Sequence, residues 1–205
     1  GGRMWRRGQA LRHPLFWMVC PLILCGPTFG TAFFFQQVHL AEVKGWSHLG
    51  LVAIFPVYTA AAVAAMLVSG WAVDRFGAMR LMAFYPVPLA LFFLLFPLTQ
   101  SLFGAAAIIV LFGIASGSQA TIPVAFWAEA YGSAHLGAIR ATAGAAMVLG
   151  SAVGPILTGR LIDAGVDFPA QMAGIAAYIV VAVALAALGI GRARSAAAKV
   201  DVIGA

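Results

Sequence analysis

The chain has 205 residues, of which 63% are hydrophobic and only 9% charged, and its formal net charge is +6. An ordinary soluble domain is about 25% charged, so this composition, with a mean hydropathy of +1.00, excludes a soluble globular protein. The expected environment is the lipid bilayer.

Six apolar segments are each long enough to cross a bilayer as a helix, which takes roughly 20 residues. Short connections with charged or turn-forming residues separate them. We therefore expect an all-α polytopic membrane protein with six transmembrane helices. In chain order, the predicted spans cover residues 14–38, 49–73, 79–98, 102–127, 137–162 and 168–190.

A repeated motif relates the two halves of the chain. Residues 41–50 and 128–137 both fit the frame A-E-x-x-G-x-x-H-L-G, and the same offset of 87 positions aligns Gly26 with Gly113. Because three predicted spans separate the two copies, the copies are expected at opposite faces of the membrane. A 3+3 inverted repeat of this kind is typical of secondary transporters.

The sequence opens Gly1-Gly2-Arg3 and reaches its first methionine at Met4. We therefore expect a piece of a longer chain, with a start at Met4 as the alternative.

The repeat divides the chain into four predicted parts. The parts are a cytoplasmic basic linker end (1–13), a first three-helix repeat (14–98), a second three-helix repeat (99–191) and a cytoplasmic tail (192–205).

The basic residues predict the orientation, because lysine and arginine accumulate on the cytoplasmic side of membranes. Ten of the twelve fall on one side of the predicted topology, and only Lys44 and Arg160 on the other. We expect both termini in the cytoplasm, in a multi-pass protein of a bacterial inner or plasma membrane. The charge of +6 thus reflects topology, and nucleic acid is not an expected partner. The ten are Arg3, Arg6, Arg7, Arg12, Arg75, Arg80, Arg140, Arg192, Arg194 and Lys199.

The turn after the second span combines charges with glycines. Asp74 and Arg75 are flanked by Gly70 and Gly77 and followed by Arg80. Glycines permit tight turns and close helix approach, so we interpret the turn as the hinge of a cytoplasmic gate. Ordinary topological charges are the alternative interpretation.

Glu129 lies at the carboxy-terminal end of the fourth span, where the helix dipole disfavours a carboxylate. A nearby cation should offset it, and Arg75 and Arg140 are the candidates. An ion pair of Glu129 with one of these arginines would extend the gate.

The fifth span carries small residues at close spacing. Gly150, Gly154 and Gly159 lie near one helical face, where they predict backbone-to-backbone packing against another helix. Pro155 is expected to bend this helix, since it cannot donate the usual backbone hydrogen bond.

These features resemble the major facilitator superfamily. The turn from Gly70 to Arg80 is similar to its signature loop, and residues 150–159 are similar to its glycine-proline helix. The resemblance covers all six spans and is closest to the carboxy-terminal six-helix half of such a transporter. It implies that an amino-terminal half, missing from this chain, is a partner. It also implies that the charged turn residues, with Glu129 and Arg140, form a network that latches one conformation.

Polar residues at membrane depth are the candidates for a solute pathway. The third and sixth spans are apolar around the whole helix, which suggests a lipid-facing scaffold. The first, second and fourth spans carry hydroxyls and amides, which are costly in hydrocarbon and should face the bundle interior or a watery cavity. The candidates are Thr31, Gln36, Gln37, Tyr58, Ser116, Gln119 and Thr121.

No acidic or basic residue lies at mid-depth in any span, so an anionic solute would need a charge from the missing half. His39 lies at the outer end of the first span. Cys20 and Cys25, five positions apart on a helix, suit neither a disulfide nor a metal pair, and the four histidines are scattered. No metal or cofactor is expected.

The sequence thus predicts a secondary transporter that carries a small organic solute by alternating access, driven by a gradient, rather than an enzyme. An intramembrane serine protease fits poorly, because no histidine follows His135 to serve as a base for Ser116. The remaining alternative is a six-span membrane protein that acts as a homodimer or as a non-transporting scaffold.

Overall fold

A computed structural model of the protein describes the backbone of residues 5–203 and the side chains of residues 5–195. Within these ranges the chain is helical and contains no strand, so the predicted all-α membrane fold is confirmed. The helices are Arg7–Arg12, Pro14–Cys25, Thr31–Phe35, Gln37–Lys44, His48–Ala53, Phe55–Phe76, Ala78–Leu81, Val87–Leu95, Leu102–Tyr131, Leu136–Asp163 and Phe168–Ile203, with a π-helical segment Gly26–Gly30 and a 3-10 helix Phe96–Leu98.

Five described helices have the length and apolarity to cross a membrane. We call them the first (Pro14–Phe35), second (His48–Phe76), fourth (Leu102–Tyr131), fifth (Leu136–Asp163) and sixth (Phe168–Ser195) spans. Each overlaps a predicted span. The sixth helix continues to Ile203, past residue 192, where a tail was expected to begin.

The third span (78–98) differs from the continuous helix that the sequence predicts. It consists of Ala78–Leu81, a turn, and the shorter apolar helix Val87–Leu98. Pro86 and Pro88 explain the break, because proline lacks a backbone N–H and disfavours the helical conformation of the residue before it. An apolar composition alone gave no sign of this interruption.

The contacts between spans follow an inverted repeat. The first span packs against the fifth, and its counterpart, the fourth span, packs against the second. The first span also packs against the sixth, and the fourth correspondingly packs against the third. Exchanging spans one to three with spans four to six leaves this pattern unchanged. The third and sixth spans also pack against each other.

Glycines set the closest helix crossings. A Cβ atom at Gly117 of the fourth span would overlap the carbonyl oxygen of Ala62 in the second, and one at Gly154 of the fifth span would overlap the carbonyl oxygen of Thr28 in the first. Only hydrogen in place of a side chain permits such approach. These are equivalent crossings in the two halves of the repeat.

The third and sixth spans, expected as a lipid-facing scaffold, expose residues such as Leu94 and Val181 on one side and contribute to the core on the other. Phe92, Phe93 and Phe96 of the third span and Ile179 of the sixth are fully buried, because helices that are apolar all round favour burial. The least buried spans are instead the second and the fifth, with 17% and 11% of their most apolar windows buried. The most open apolar faces among the described spans therefore belong to two equivalent helices.

Candidate functional site

The centre of the candidate site is the interruption of the first span. The Gly26–Gly30 segment is π-helical, a form that appears mostly as short bulges and often at functional sites. It lies between two other spans: the Gln119 side chain of the fourth span fills the space beside Gly26, and Gly150 of the fifth lies beside the Thr28 hydroxyl. First, fourth and fifth spans thus meet where the first is irregular.

Gln36 joins the first and fifth spans. Its Nε2 donates to the Pro155 carbonyl at 3.3 Å and to the Thr158 hydroxyl at 3.2 Å. Thr158 in turn donates to the carbonyl of Gly154 at 3.0 Å. Gln36 therefore has a structural role in this conformation, and the proline-bearing segment of the fifth span supplies its acceptor. Gly159 lies beside the same amide, since a Cβ atom there would be 3.4 Å from Nε2.

Gln37 presents the opposite case. Its Oε1 atom is buried and has no hydrogen-bond partner among the described residues. The same holds for Oε1 of Gln171, whose Nε2 donates to the carbonyls of Thr158 and Val166. A buried unpartnered oxygen costs about 1–3 kcal/mol, so Gln37 is the stronger candidate of the two adjacent glutamines for contact with something absent from this chain.

The other predicted pathway residues divide into two groups. Thr121 donates to the Met66 carbonyl at 3.5 Å, and Tyr58 packs on Phe34 and Phe112 with ring centroids 5.6 and 4.9 Å apart. Thr31, Ser116 and Gln119 are partly buried. The structure records no side-chain hydrogen bond from these three to other described residues, so they remain available to line a pathway.

The exposed face of the second span forms an open apolar groove of about 990 Å³. Phe55, Val63 and Leu67 line it, and Thr59 contributes the hydroxyl, which bonds back to its own helix at the Phe55 carbonyl. The groove therefore offers shape and apolar area rather than polar recognition.

Of the two glycines that flank the charged turn, one has its predicted role and the other does not. Gly77 has φ +80° and ψ 146°, a conformation for which glycine is strongly favoured, so it forms the tight turn. Gly70 has open space beside it and makes no close helix approach within the described chain.

Glu129 does not form the predicted ion pair. Its Oε2 accepts hydrogen bonds from the backbone N–H groups of Ala78 and Met79 at 2.6 and 3.2 Å. These amides begin the Ala78–Leu81 helix, where N–H groups lack intrahelical partners and attract negative charge. Backbone amides thus offset the carboxylate in the place of an arginine.

The arginines of the predicted gate lie elsewhere. The Arg75 guanidinium lies over the rings of Trp71 and Phe76, at 6.0 and 5.9 Å from their centroids. Asp74, Arg80 and Arg140 are exposed. Between side chains that the structure describes, the one contact at salt-bridge distance joins His39 to Asp167 at the other end of the molecule. The expected charge network is therefore absent from this conformation.

The first copy of the repeated frame, at the opposite end of the molecule, connects the end of the first span to the end of the third through Lys44. Lys44 Nζ donates to the carbonyls of Pro97 and Thr99 and lies 5.8 Å from the centroid of the Trp46 ring. These carbonyls end the third span, where a cation is favoured. Burial there lowers the pKa of Lys44, because desolvation disfavours the charged ammonium.

His39 connects the first span to the start of the sixth. Its Nε2 lies 3.3 Å from Asp167 Oδ1 and 3.4 Å from the backbone nitrogen of Phe168. One ring nitrogen cannot donate to the carboxylate and accept from the amide at once. The two contacts are therefore alternatives: Nε2 donates to Asp167 when it carries the hydrogen and accepts from the Phe168 amide when Nδ1 carries it.

Two features of the site were not predicted from the sequence: a π-helical segment and a buried hydrogen bond between two serines. The π-helical segment has the sequence Gly26-Pro27-Thr28-Phe29-Gly30, and its glycines and proline are the only local indication. Ser69 and Ser118 form a buried hydrogen bond of 3.0 Å between the second and fourth spans. Pairing between such distant residues depends on the fold.

The helices, their inverted pairing and the irregular first span define a polytopic helical membrane protein built from two three-helix units. The family model of the Major Facilitator Superfamily matches residues 17–201, which is most of the chain, and the protein belongs to this superfamily of membrane transporters. No individually curated protein matches its sequence.

Proposed function

We propose that this chain is the carboxy-terminal half of a secondary transporter that moves a small organic solute by alternating access. The observation that carries the proposal is the interrupted first span, where Gln119 and Gly150 meet the π-helical segment. Short π-helical segments are frequent at functional sites, and the solute sites of secondary transporters lie near the middle of the membrane at the junction of the repeats. The unpartnered oxygen of Gln37 adds a polar group without an internal acceptor role.

The proposed partner is an amino-terminal half, which would cover the second and fifth spans. These spans expose Leu67, Val68, Leu149 and Ile156 at 57–69% of their surface. Gly70 and Gly144 on the same two spans have open space beside them, as expected for helices that await a close neighbour. Between the two halves, the pathway residues would line a central cavity.

The proposed gate is a contact between helix ends at the basic end of the molecule, which we define by Arg75, Arg80, Arg140 and Arg194 and expect to be cytoplasmic. In it, the Glu129 carboxylate holds the amides that follow Gly77. Breaking this contact would free the turn between the second and third spans. Asp74 and Arg75, which lie exposed beside it, would engage the other half.

Transport is tested by uptake of a panel of small organic solutes into proteoliposomes that contain the complete protein, with and without a proton gradient. We expect gradient-dependent uptake of at least one solute, and its loss in Asp74→Ala. Asp163→Ala is the matched control, since Asp163 is also exposed but lies at the other end of the molecule, and it should retain uptake.

Two results would contradict these proposals. Uptake by Asp74→Ala equal to that of the wild type would remove Asp74 from the gate. No uptake of any solute by a folded, complete protein would favour the alternative of a homodimer or non-transporting scaffold.

A further inference from the structure

A groove at the basic end of the molecule lies beside the gate contact and contains none of the predicted pathway residues; Met79, whose amide donates to Glu129, is part of its lining. It lies between the third and sixth spans and encloses about 330 Å³. One wall carries Arg80 and Phe84, from the segment where the third span is broken, and the other carries Ile190, Gly191 and Arg194. The break in the third span gives the groove its opening.

The inside of the groove is apolar and has room for a ligand. Alanines and Ile190 contribute most of the lining between the arginines. Gly191 has no atom within 4 Å of the place where a Cβ would stand, so the groove is open above it. Phe84 is 64% exposed beside it, which adds an apolar surface that continues toward the membrane interior.

The rim of the groove is cationic. Arg80 and Arg194 are both exposed, and neither is in an ion pair with another described side chain. The Glu129 carboxylate is held by the adjacent amides of Ala78 and Met79. Two guanidinium groups without a carboxylate suit a phosphate, to which the planar arginine fork donates two hydrogen bonds.

The groove also lies at the depth of the lipid headgroups. The apolar run of the sixth span ends in the sequence near Ile190, and Arg192 and Arg194 follow within about one helical turn. Basic pockets between spans at a membrane surface are typical sites for anionic lipid headgroups. A phosphate free in water would leave the apolar lining unused, whereas a phospholipid covers it with an acyl chain.

We propose that this groove binds one anionic phospholipid, with its phosphate between Arg80 and Arg194 and an acyl chain along Phe84 and Ile190. The proposal rests on the membrane location of the protein and is independent of transport. A protein that takes up no solute would still bind the lipid.

The test is native mass spectrometry of the complete protein in detergent, titrated with phosphatidylglycerol, with phosphatidylcholine of the same acyl chains, and with inorganic phosphate. We expect phosphatidylglycerol to bind most tightly, and Arg194→Gln to weaken it about tenfold, the effect of losing a hydrogen bond between charged groups. Arg192→Gln is the matched control: Arg192 is exposed on the same helix, about 200° around its axis, and should leave the affinity unchanged.

A second variant tests the cavity without changing charge. Gly191→Leu fills the open space with a residue that favours helices, so the protein should keep its helical circular dichroism while its affinity for phosphatidylglycerol falls several-fold. Equal losses in Arg192→Gln and Arg194→Gln would overturn the proposal, as would unchanged affinity in folded Gly191→Leu. Displacement of the lipid by an equal concentration of inorganic phosphate would also overturn it.

Discussion

At the scale of single residues, glycines and amides decide how closely the spans approach and what they leave unpaired. Gly154 and Gly117 stand at equivalent crossings of the repeat, each against a backbone carbonyl of its neighbour. The predicted packing role of the fifth span's glycines holds most strongly at Gly154. Gly150 instead faces the Thr28 side chain.

We expect Gly154→Ala to destabilise the protein by about 1–3 kcal/mol, because the new methyl group overlaps a backbone atom that cannot move aside. Gly174→Ala is the control. It lies in the sixth span with nothing within 4 Å of its Cβ position, so it should be neutral or stabilising by up to about 1 kcal/mol. Thermal unfolding followed by circular dichroism in detergent compares the two, and an equal response would contradict the packing assignment.

Adjacent glutamines provide a second comparison at this scale. Gln36→Leu removes two hydrogen bonds to the fifth span and should cost about 1 kcal/mol, seen as a lower unfolding temperature. Gln37→Leu removes a buried oxygen that has no partner, so the unfolding temperature should stay the same or rise. A lower temperature for Gln37→Leu than for Gln36→Leu would reverse the two roles.

At the scale of elements, composition predicts where the spans lie but not where their helices become irregular. The third span is as apolar as the sequence indicates, but its prolines divide it, and residues of the divided segment line the groove between the third and sixth spans. The first span is long enough to cross the membrane as predicted, yet a π-helical segment interrupts it. Hydropathy averages over about 20 residues, so it detects the span and overlooks the interruption.

The same limit applies to the charged turn. The sequence correctly indicated that Gly77 forms a tight turn, because the conformational demand on glycine is local. It predicted the wrong partner for Glu129. Both arginine side chains and the free amides of Ala78 and Met79 could bind this carboxylate. The arrangement of the helix ends determines which of them is nearer.

At the scale of the whole molecule, the inverted repeat predicts that its two copies of the repeated frame face opposite sides of the membrane. His48 and His135 are equivalent positions in the two copies of the repeated frame, and both are exposed. The native cysteines, Cys20 and Cys25, are buried, so their background reaction with a water-soluble reagent should be low.

This arrangement makes the topology testable. A membrane-impermeant maleimide applied to intact cells should label His48→Cys, and should label His135→Cys only after the membrane is permeabilised, because the excess of arginines places the second copy inside. Labelling of both variants from outside would exclude the inverted arrangement. Labelling of His135→Cys alone would reverse the proposed orientation.

The amino-acid sequence by itself determined the membrane location, the approximate spans and the repeat, since these depend on local hydropathy and on order along the chain. The equivalence of spans one to three with spans four to six also followed from the repeated frame. Only the tertiary structure decided that Gln36 binds the fifth span, that Glu129 binds backbone amides, and that Arg80 and Arg194 share a groove. Each of these depends on distances between segments about 50 to 120 residues apart, which folding determines and local composition does not.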